Sequence, residues 1–334
     1  MDMKLTRRTV LAGAAALTAA STVTRVFAQE ALAPVTIALS SNSLGLAPVR
    51  IAAQAKLFQK NGLDAKVTIA DSGNAAMTAL LSGSVEFAAP GLSEVLIINS
   101  KGQKVVVVAN IHRGLGTSLV LSKRVAEKLG VKPDAPLEAR LKALEGLKVA
   151  LPSATSPSVA AFKGAASTAG ASFDMVYMSQ PAMIPALETG AVDAMVAAAP
   201  SWLRPVNTGS GYLWVSGPRG DIPAQFNTAS SACLQATEAY AKANPKAIEA
   251  IRKTMQDVSK LILEQPDEAK RLLGEVYPDL SAADVAMVFD TSSRNWAKPV
   301  VTAQDIDHEK ELLKASGLST PAIEAVDSAS LVDF

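Results

Sequence analysis

The sequence predicts an α/β protein built as two similar lobes, each a mostly parallel sheet flanked by helices, with two crossings between them. Three observations carry that expectation. Short apolar strand segments alternate with helical ones from residue 35 to 111, and again from 147 to 218; this order gives a parallel sheet covered by helices on both faces. The alternation breaks at Gly114-Leu115-Gly116-Thr117, where two strand segments follow each other across a flexible tetrapeptide. The chain also repeats itself. Laying Ser72 onto Ser179 at a constant offset of 107 gives six identities over the fifteen positions 72–86. They are Ser72/Ser179, Ala75/Ala182, Ala79/Ala186, Leu80/Leu187, Gly83/Gly190 and Val85/Val192, followed by the acidic pair Glu86/Asp193. Internal similarity of this kind marks one structural unit used twice.

In chain order, VTIAL at 35–39 is a buried strand, SSNSLG a polar loop, and 48–60 a helix stopped by Asn61-Gly62. A strand follows at 66–70, then a helix to Ser82 capped by Ser72 or Asn74, a short strand at 87–89, a helix over 93–100 and a strand at 105–111. After a strand at 118–122, the second set opens with LKVAL at 147–151. It continues with a helix over 157–168, a strand near 175–178 and the Gly190 element, whose helix Pro185 is expected to keep shorter than its counterpart. Arg219-Gly220-Asp221 reads as a polar hinge loop. From 236 onward the pattern is helical and amphipathic, with a long helix opened by Pro245 and shorter ones near 267–276, 282–289 and 306–315. Such a tail packs on the first lobe.

The first 28 residues read as an export signal rather than as fold. They open basic, run apolar from Val10 to about Ala20 and close on small residues, with Val26 and Ala28 placed for cleavage before Gln29. Thr6-Arg7-Arg8-Thr9-Val10-Leu11 resembles a twin-arginine signal, and the weakly hydrophobic run with Arg25 before the cut favours that route. The run is too short and alanine-rich to remain in a bilayer. No cysteine near it could carry a lipid, so a free, soluble, monomeric periplasmic protein is expected. Removing Lys4, Arg7, Arg8, Arg25 and Asp2 with the segment turns the formal charge of +1 into −2 over 306 residues. That is no profile for a nucleic-acid binder. The single cysteine, Cys233, excludes an internal disulfide, and its apolar neighbours mark a buried thiol. A chain of this size divides into two domains. The crossings put one at 29–113 with 222–334 and the other at 114–221.

Leu144-Glu145-Gly146-Leu147-Lys148-Val149-Ala150 before a Ser/Thr-rich helix start resembles the opening of the second lobe in sulfonate-, nitrate- and taurine-type substrate-binding proteins of ABC importers. Ala79-Leu80-Leu81-Ser82-Gly83-Ser84-Val85-Glu86 is similar to that family's most recurrent segment, and residues 186–193 to its second-lobe counterpart. Phe58-Gln59-Lys60-Asn61-Gly62-Leu63 and the Asn244-Pro245 helix also fit. The resemblance implies the type II periplasmic-binding-protein fold. It further implies a receptor that captures a small anion (sulfonate, nitrate, taurine or carboxylate class) and delivers it to the membrane permease and ATPase subunits of an ABC importer. One departure is Lys56, where the family usually has glycine, read here as a surface change. The same fold serves thiamin-pyrimidine synthases, which are the enzymatic alternative; export speaks against a cytosolic biosynthetic role.

In such a receptor the chemistry is binding, and helix N-termini suit anions because free N–H groups and the helix dipole converge there. Four starts qualify: Ser72-Gly73-Asn74, Gly91-Leu92-Ser93, Ser153-Ala154-Thr155-Ser156 and Ser179-Gln180-Pro181. Ser41-Asn42-Ser43 faces the same cleft by position. Each serine equally suits capping its own helix. Arg113, at the hinge, could hold an anion through its guanidinium fork or tie the hinge to a carboxylate. His112 reads as a packed histidine. Trp202 either stacks on a ligand or packs at the surface. His112 and His308 are the only histidines, so a histidine-rich metal site is excluded, and no Cys/His spacing suggests zinc. GLGTSL lacks the third glycine of a dinucleotide fingerprint, and no Gly-x-Ser-x-Gly elbow occurs. No metal, cofactor or catalytic residue is expected.

Overall fold

The computed structural model describes residues 32–70, 72–152, 157–315 and 317–334. The segment read as an export signal and the expected helix start at Ser153, Thr155 and Ser156 lie outside the described residues. Two five-stranded sheets organise the chain. The first takes β1 (Ala33–Leu39), β2 (Leu63–Ile69), β3 (Phe87–Ala89) and β4 (Val105–Arg113), interleaved with α1 (Ala47–Gln54), α2 (Leu57–Lys60), α3 (Gly73–Leu81) and α4 (Leu92–Ser100). The second holds β5 (Thr117–Ser122), β6 (Lys148–Leu151), β7 (Asp174–Tyr177), β8 (Ala194–Ala198) and β9 (Gly211–Ser216). Between them run α5 (Lys123–Leu129), α6 (Leu137–Lys142), α7 (Pro157–Thr168), α8 (Gln180–Thr189) and α9 (Leu203–Asn207). The chain returns to the first sheet as β10 (Ser230–Thr237). It ends in α10 (Glu238–Ala243), α11 (Pro245–Glu264), α12 (Pro266–Val276), α13 (Ala282–Trp296), α14 (Ala303–Ala315) and α15 (Pro321–Glu324).

The two sheets follow one plan, β2-β1-β3-β10-β4 and β7-β6-β8-β5-β9. β1 pairs in parallel with β2 and β3, as β6 does with β7 and β8. In each sheet the antiparallel strand is the one that arrives from the other sheet: β10 between β3 and β4, β5 between β8 and β9. The sequence reading has no counterpart for β10. Its run SSACLQAT is mixed in polarity, and it is buried because it lies between two other strands.

The repeat is used twice in the same way. Gly83 (φ +74°) and Gly190 (φ +79°) both turn left-handed at the end of their helices, a conformation that costs little only for glycine. Val85 N–H then donates to the Ala79 carbonyl at 3.3 Å, and Val192 N–H to that of Ala186 at 3.2 Å. Glu86 Oε2 accepts from Thr36 N–H at 2.6 Å, while Asp193 Oδ2 accepts from Lys148 N–H at 3.0 Å. In both halves the acidic residue thus ties the turn to the strand with parallel neighbours on both sides, β1 in the first sheet and β6 in the second. The helix of the second copy is not shortened by Pro185, contrary to expectation. α8 has ten residues against nine in α3, with Pro185 inside it. The proline removes one N–H bond from the early part of the helix, and Thr189 Oγ1 still donates to the Pro185 carbonyl at 2.9 Å.

The helix expected over 48–60 is broken between α1 and α2, where Lys56 takes φ 55° and ψ 28°. It is the described non-glycine residue at positive φ. The glycine usual in the family is therefore a backbone requirement, and the reading of Lys56 as a mere surface change is corrected. Apolar packing covers the first sheet on both faces. α11 buries Ile248, Ile251, Met255, Val258 and Ile262 at helical spacing against one face, and α3, α4 and α14 cover the other. A separate cluster around Phe162 and Trp214 fills the second sheet.

Candidate ligand site

In open α/β sheets, ligands bind beyond the carboxyl ends of the parallel strands. β1, β2 and β3 run at those ends into Ser41-Asn42-Ser43, the N-terminus of α3 and the N-terminus of α4. In the second sheet β7 leads to Ser179 and β8 to Pro200 and Trp202. The two edges meet where Leu44 N–H donates to the Ala199 carbonyl at 2.9 Å. A small cavity of about 10 Å³, roughly one water, lies there between Leu44, Gly45, His112, Ala199, Trp202 and Ser216.

The connections behind this edge are bound to each other. Gly114 N–H donates to the Ala229 carbonyl at 3.2 Å, Leu115 N–H to Asn227 Oδ1 at 2.8 Å, and Gly217 N–H to the Thr117 carbonyl at 3.0 Å. A Cβ at Gly217 would lie 2.4 Å from the Leu115 carbonyl oxygen, so only glycine fits the crossing. Asp221 accepts Ser216 N–H at 2.9 Å and pairs with Arg140 at 3.3 Å, which gives the Arg219-Gly220-Asp221 loop its structural role.

Several predicted site residues have partners within the protein. Arg113 does not project free into the cleft: Nη1 and Nη2 fork onto Asp305 Oδ1 and Oδ2 at 2.6 and 2.9 Å. Burial alone would raise the Asp305 pKa. The bonds from Arg113 and Thr302 outweigh it and hold the carboxyl below its ordinary value. Ser93 is buried and donates to Glu309 Oε1 at 2.5 Å, joining α4 to α14. Glu309 also accepts from Thr228 Oγ1 at 2.7 Å and Ala229 N–H at 3.2 Å; its burial nonetheless raises its pKa. Trp202 is buried rather than open to a ligand. Asn42 accepts from Arg50, whose guanidinium lies 4.4 Å from the centre of the Tyr277 ring. Tyr277 Oη in turn donates to the Ser43 carbonyl at 2.9 Å.

Ser72 caps α3 by accepting from Ala75 N–H at 3.1 Å, which leaves Asn74 on the helix surface. Ser179 makes no such bond at the head of α8, and Gln180 follows it partly buried. Leu92, expected at the ligand, is instead fully buried in the apolar core beneath the first sheet, while Gly73 and Gly91 come together around a residue one position beyond the predicted set. Glu94, in the first turn of α4, lies with its carboxyl between the two glycines. A Cβ at Gly91 would stand 2.7 Å from Oε2, and one at Gly73 3.3 Å from Oε1. Burial, then the proximity of Glu309, raises the Glu94 pKa against the pull of the Glu94 and Gly91 backbone N–H groups. In the sequence Glu94 reads only as an acidic residue favourable to a helix start.

His112 is 1% exposed, with Nδ1 3.1 Å from Ser231 Oγ and 3.3 Å from the Gly114 carbonyl. Burial lowers its pKa to about 4, only partly offset by neighbouring backbone groups. The Cys233 thiol, likewise buried, is pushed up to about 12 and is inert as a nucleophile. Among the described residues no group of three His, Cys, Asp or Glu side chains could hold a metal ion, and no helix is long and apolar enough to cross a membrane.

Residues 29–277 match the NMT1-like family. The chain belongs to the NMT1-like family. Solved structures place its fold among the periplasmic binding proteins. A protein of Bordetella bronchiseptica RB50 is similar at 23% identity, covering 89% of this chain and 93% of that one, with a TM-score of 0.69. The alkanesulfonate-binding protein of Xanthomonas axonopodis pv. citri, solved with MOPS bound, matches at 16% identity over 90% and 98% of the two chains, TM-score 0.69. The periplasmic nitrate-binding protein of Synechocystis PCC 6803 matches at 16% identity over 89% and 86%, TM-score 0.64. Among curated proteins, none matches the chain. Two of these neighbours are named as binding proteins, and they differ in what their names say they bind.

Proposed function

We propose that this NMT1-like protein is an extracytoplasmic receptor that captures a small anion between two lobes and delivers it to the permease and ATPase of an ABC importer. The lobes are residues 29–113 with 222–334, and 114–221, and residues 1–28 direct export by the twin-arginine route. The observation that carries the reading is the duplicated sheet. Each copy brings helix N-termini to the carboxyl ends of its parallel strands, and the two edges meet at Leu44 and Ala199. Such ends favour negative charge. The sulfonate- and nitrate-binding names of its structural neighbours support the anion class. Binding rather than catalysis fits a site in which His112 and Cys233 are both buried with their pKa values moved away from neutrality.

The test is a thermal-shift screen of sulfonates, nitrate, carboxylates and pyrimidines on the mature chain. At about a hundredfold excess over Kd a ligand adds about 2.7 kcal/mol of stability, several degrees in Tm for a chain of this size. A ligand series without any shift would remove the receptor reading. A shift confined to pyrimidines would remove the anion class and leave the receptor standing.

A further inference from the structure

A larger cavity lies along β4, the edge strand of the first sheet, and shares no residue with the inter-lobe edge. It measures about 430 Å³, within the range of small-molecule sites. α11 contributes Arg252 and Gln256, four positions apart on one helix face. The segment between α13 and α14 contributes Val300 and Val301, and the tail beyond Leu331 contributes Val332. That segment is pinned to the strand edge: Asn110 N–H donates to the Pro299 carbonyl at 2.8 Å and Asn110 Nδ2 to the Lys298 carbonyl at 2.6 Å.

Arg252 is held in this wall with its charge unmatched. Nε donates to the Val108 carbonyl at 3.2 Å and Nη2 to the Val332 carbonyl at 3.3 Å, while the guanidinium centre stands 4.9 Å from the centre of the Phe334 ring. Carbonyls and a ring orient a guanidinium without supplying a full negative charge. Among the described residues no carboxylate pairs with it, and Nη1 has no partner. Asp333, in the same wall, is exposed and does not reach the arginine, so water screens its charge. We propose that this cavity is a second ligand site, one for small carboxylates with an apolar body. Arg252 takes the carboxylate through Nη1, Gln256 adds an amide donor, and Val300, Val301 and Val332 cover the hydrocarbon. A guanidinium already fixed by two carbonyls loses little freedom when an anion arrives. The inference stands apart from the receptor reading given above, since it uses none of the same residues.

Calorimetric titration with hexanoate, and with hexanol as its uncharged counterpart, tests this on the wild type, Arg252→Gln and Val300→Glu. The wild type should bind the acid about tenfold or more tightly than the alcohol, the usual yield of a hydrogen bond to a charged group. Both substitutions should weaken hexanoate by about tenfold, the first by removing the guanidinium and the second by setting a like charge in the wall. Arg252 also ties the tail to β4, so melting curves accompany its variant. Val300 is 59% exposed, and Val300→Glu decides alone should Arg252→Gln not fold. Absence of hexanoate binding, equal binding of the alcohol, or an affinity unchanged in Val300→Glu overturns the proposal. The last result would put the bound acid at another site, the inter-lobe one included. The receptor reading is judged separately, by ligands whose binding survives in Val300→Glu.

Discussion

The Arg113–Asp305 fork is expected to be a strut of the hinge, and its removal should cost stability rather than affinity. Asp305 has two tasks. It accepts both terminal nitrogens of Arg113, and it closes a capping box at the start of α14, accepting from Thr302 N–H at 2.9 Å and Oγ1 at 3.0 Å while its own N–H donates to Thr302 Oγ1 at 3.2 Å. The side chains are 29% and 17% exposed, so the pair is screened more than a buried one. Hydrogen bonds between charged groups contribute about 1.5–3 kcal/mol and a lost cap about 1 kcal/mol. With the lower end taken for solvent screening, Asp305→Ala should destabilise by about 2–3 kcal/mol. Arg113→Met keeps the apolar stem and leaves the capping box intact, so about 1–2 kcal/mol is expected. Urea unfolding of wild type, both single mutants and the double mutant isolates the coupling, which should be about 1 kcal/mol or more. Ligand affinity of Arg113→Met should stay within about threefold of wild type, a difference under about 0.7 kcal/mol. A coupling near zero together with a large loss of affinity would refute the strut and return Arg113 to the ligand.

Two further outcomes follow from the fold. His112 is held neutral with a pKa of about 4 against an ordinary 6.5, so below pH 6.5 the unfolded chain takes up a proton that the folded chain does not. Its contribution is complete above pH 6.5 and falls toward pH 4 by about 3 kcal/mol; the difference in unfolding free energy between wild type and His112→Asn should trace that slope, and parallel pH profiles would contradict it. Lys56 holds a left-handed backbone without glycine's freedom, so Lys56→Gly should stabilise the apo protein by about 0.5–1 kcal/mol, read as a higher midpoint in urea; a destabilised variant would show that the side chain contributes more than the strain costs.

What the sequence makes legible is local or periodic. The alternation of strands and helices, the left-handed stops at Gly83 and Gly190 and the amphipathic α11 are each written within a few residues. The matched roles of Glu86 and Asp193 could be guessed from the repeat, though not the strand N–H groups they accept. β10 was hidden because its burial comes from two flanking strands instead of its own mixed run. The break at Lys56 was hidden because lysine is an ordinary helix former and only the backbone angle shows the strain. At the site, serines that begin helices are visible, but whether each caps its helix, as Ser72 does, or lies in a buried network, as Ser93 does, depends on distant residues. Arg113 and Asp305 are 192 positions apart, beyond any spacing rule. Glu94 is hidden for a related reason. An acidic residue in a first turn is expected on helix grounds alone, and its unbonded oxygen is a property of the packed protein.

The position of β10 imposes an order on synthesis. β4 ends at Arg113, and its strand neighbour begins only at Ser230. While the chain grows, Val-Val-Val-Val-Ala at 105–109 is an unpaired apolar strand for as long as the whole second sheet takes to be made. The second sheet waits less, since β5, its own antiparallel strand, finds its first neighbour at β8, from Ala194. The half of the protein that is made later can therefore close first, within Thr117–Ser216, while the earlier half holds an open strand edge of the kind through which nascent chains aggregate. A chaperone covering 105–109 would be needed from the time that strand leaves the ribosome until Thr237 does.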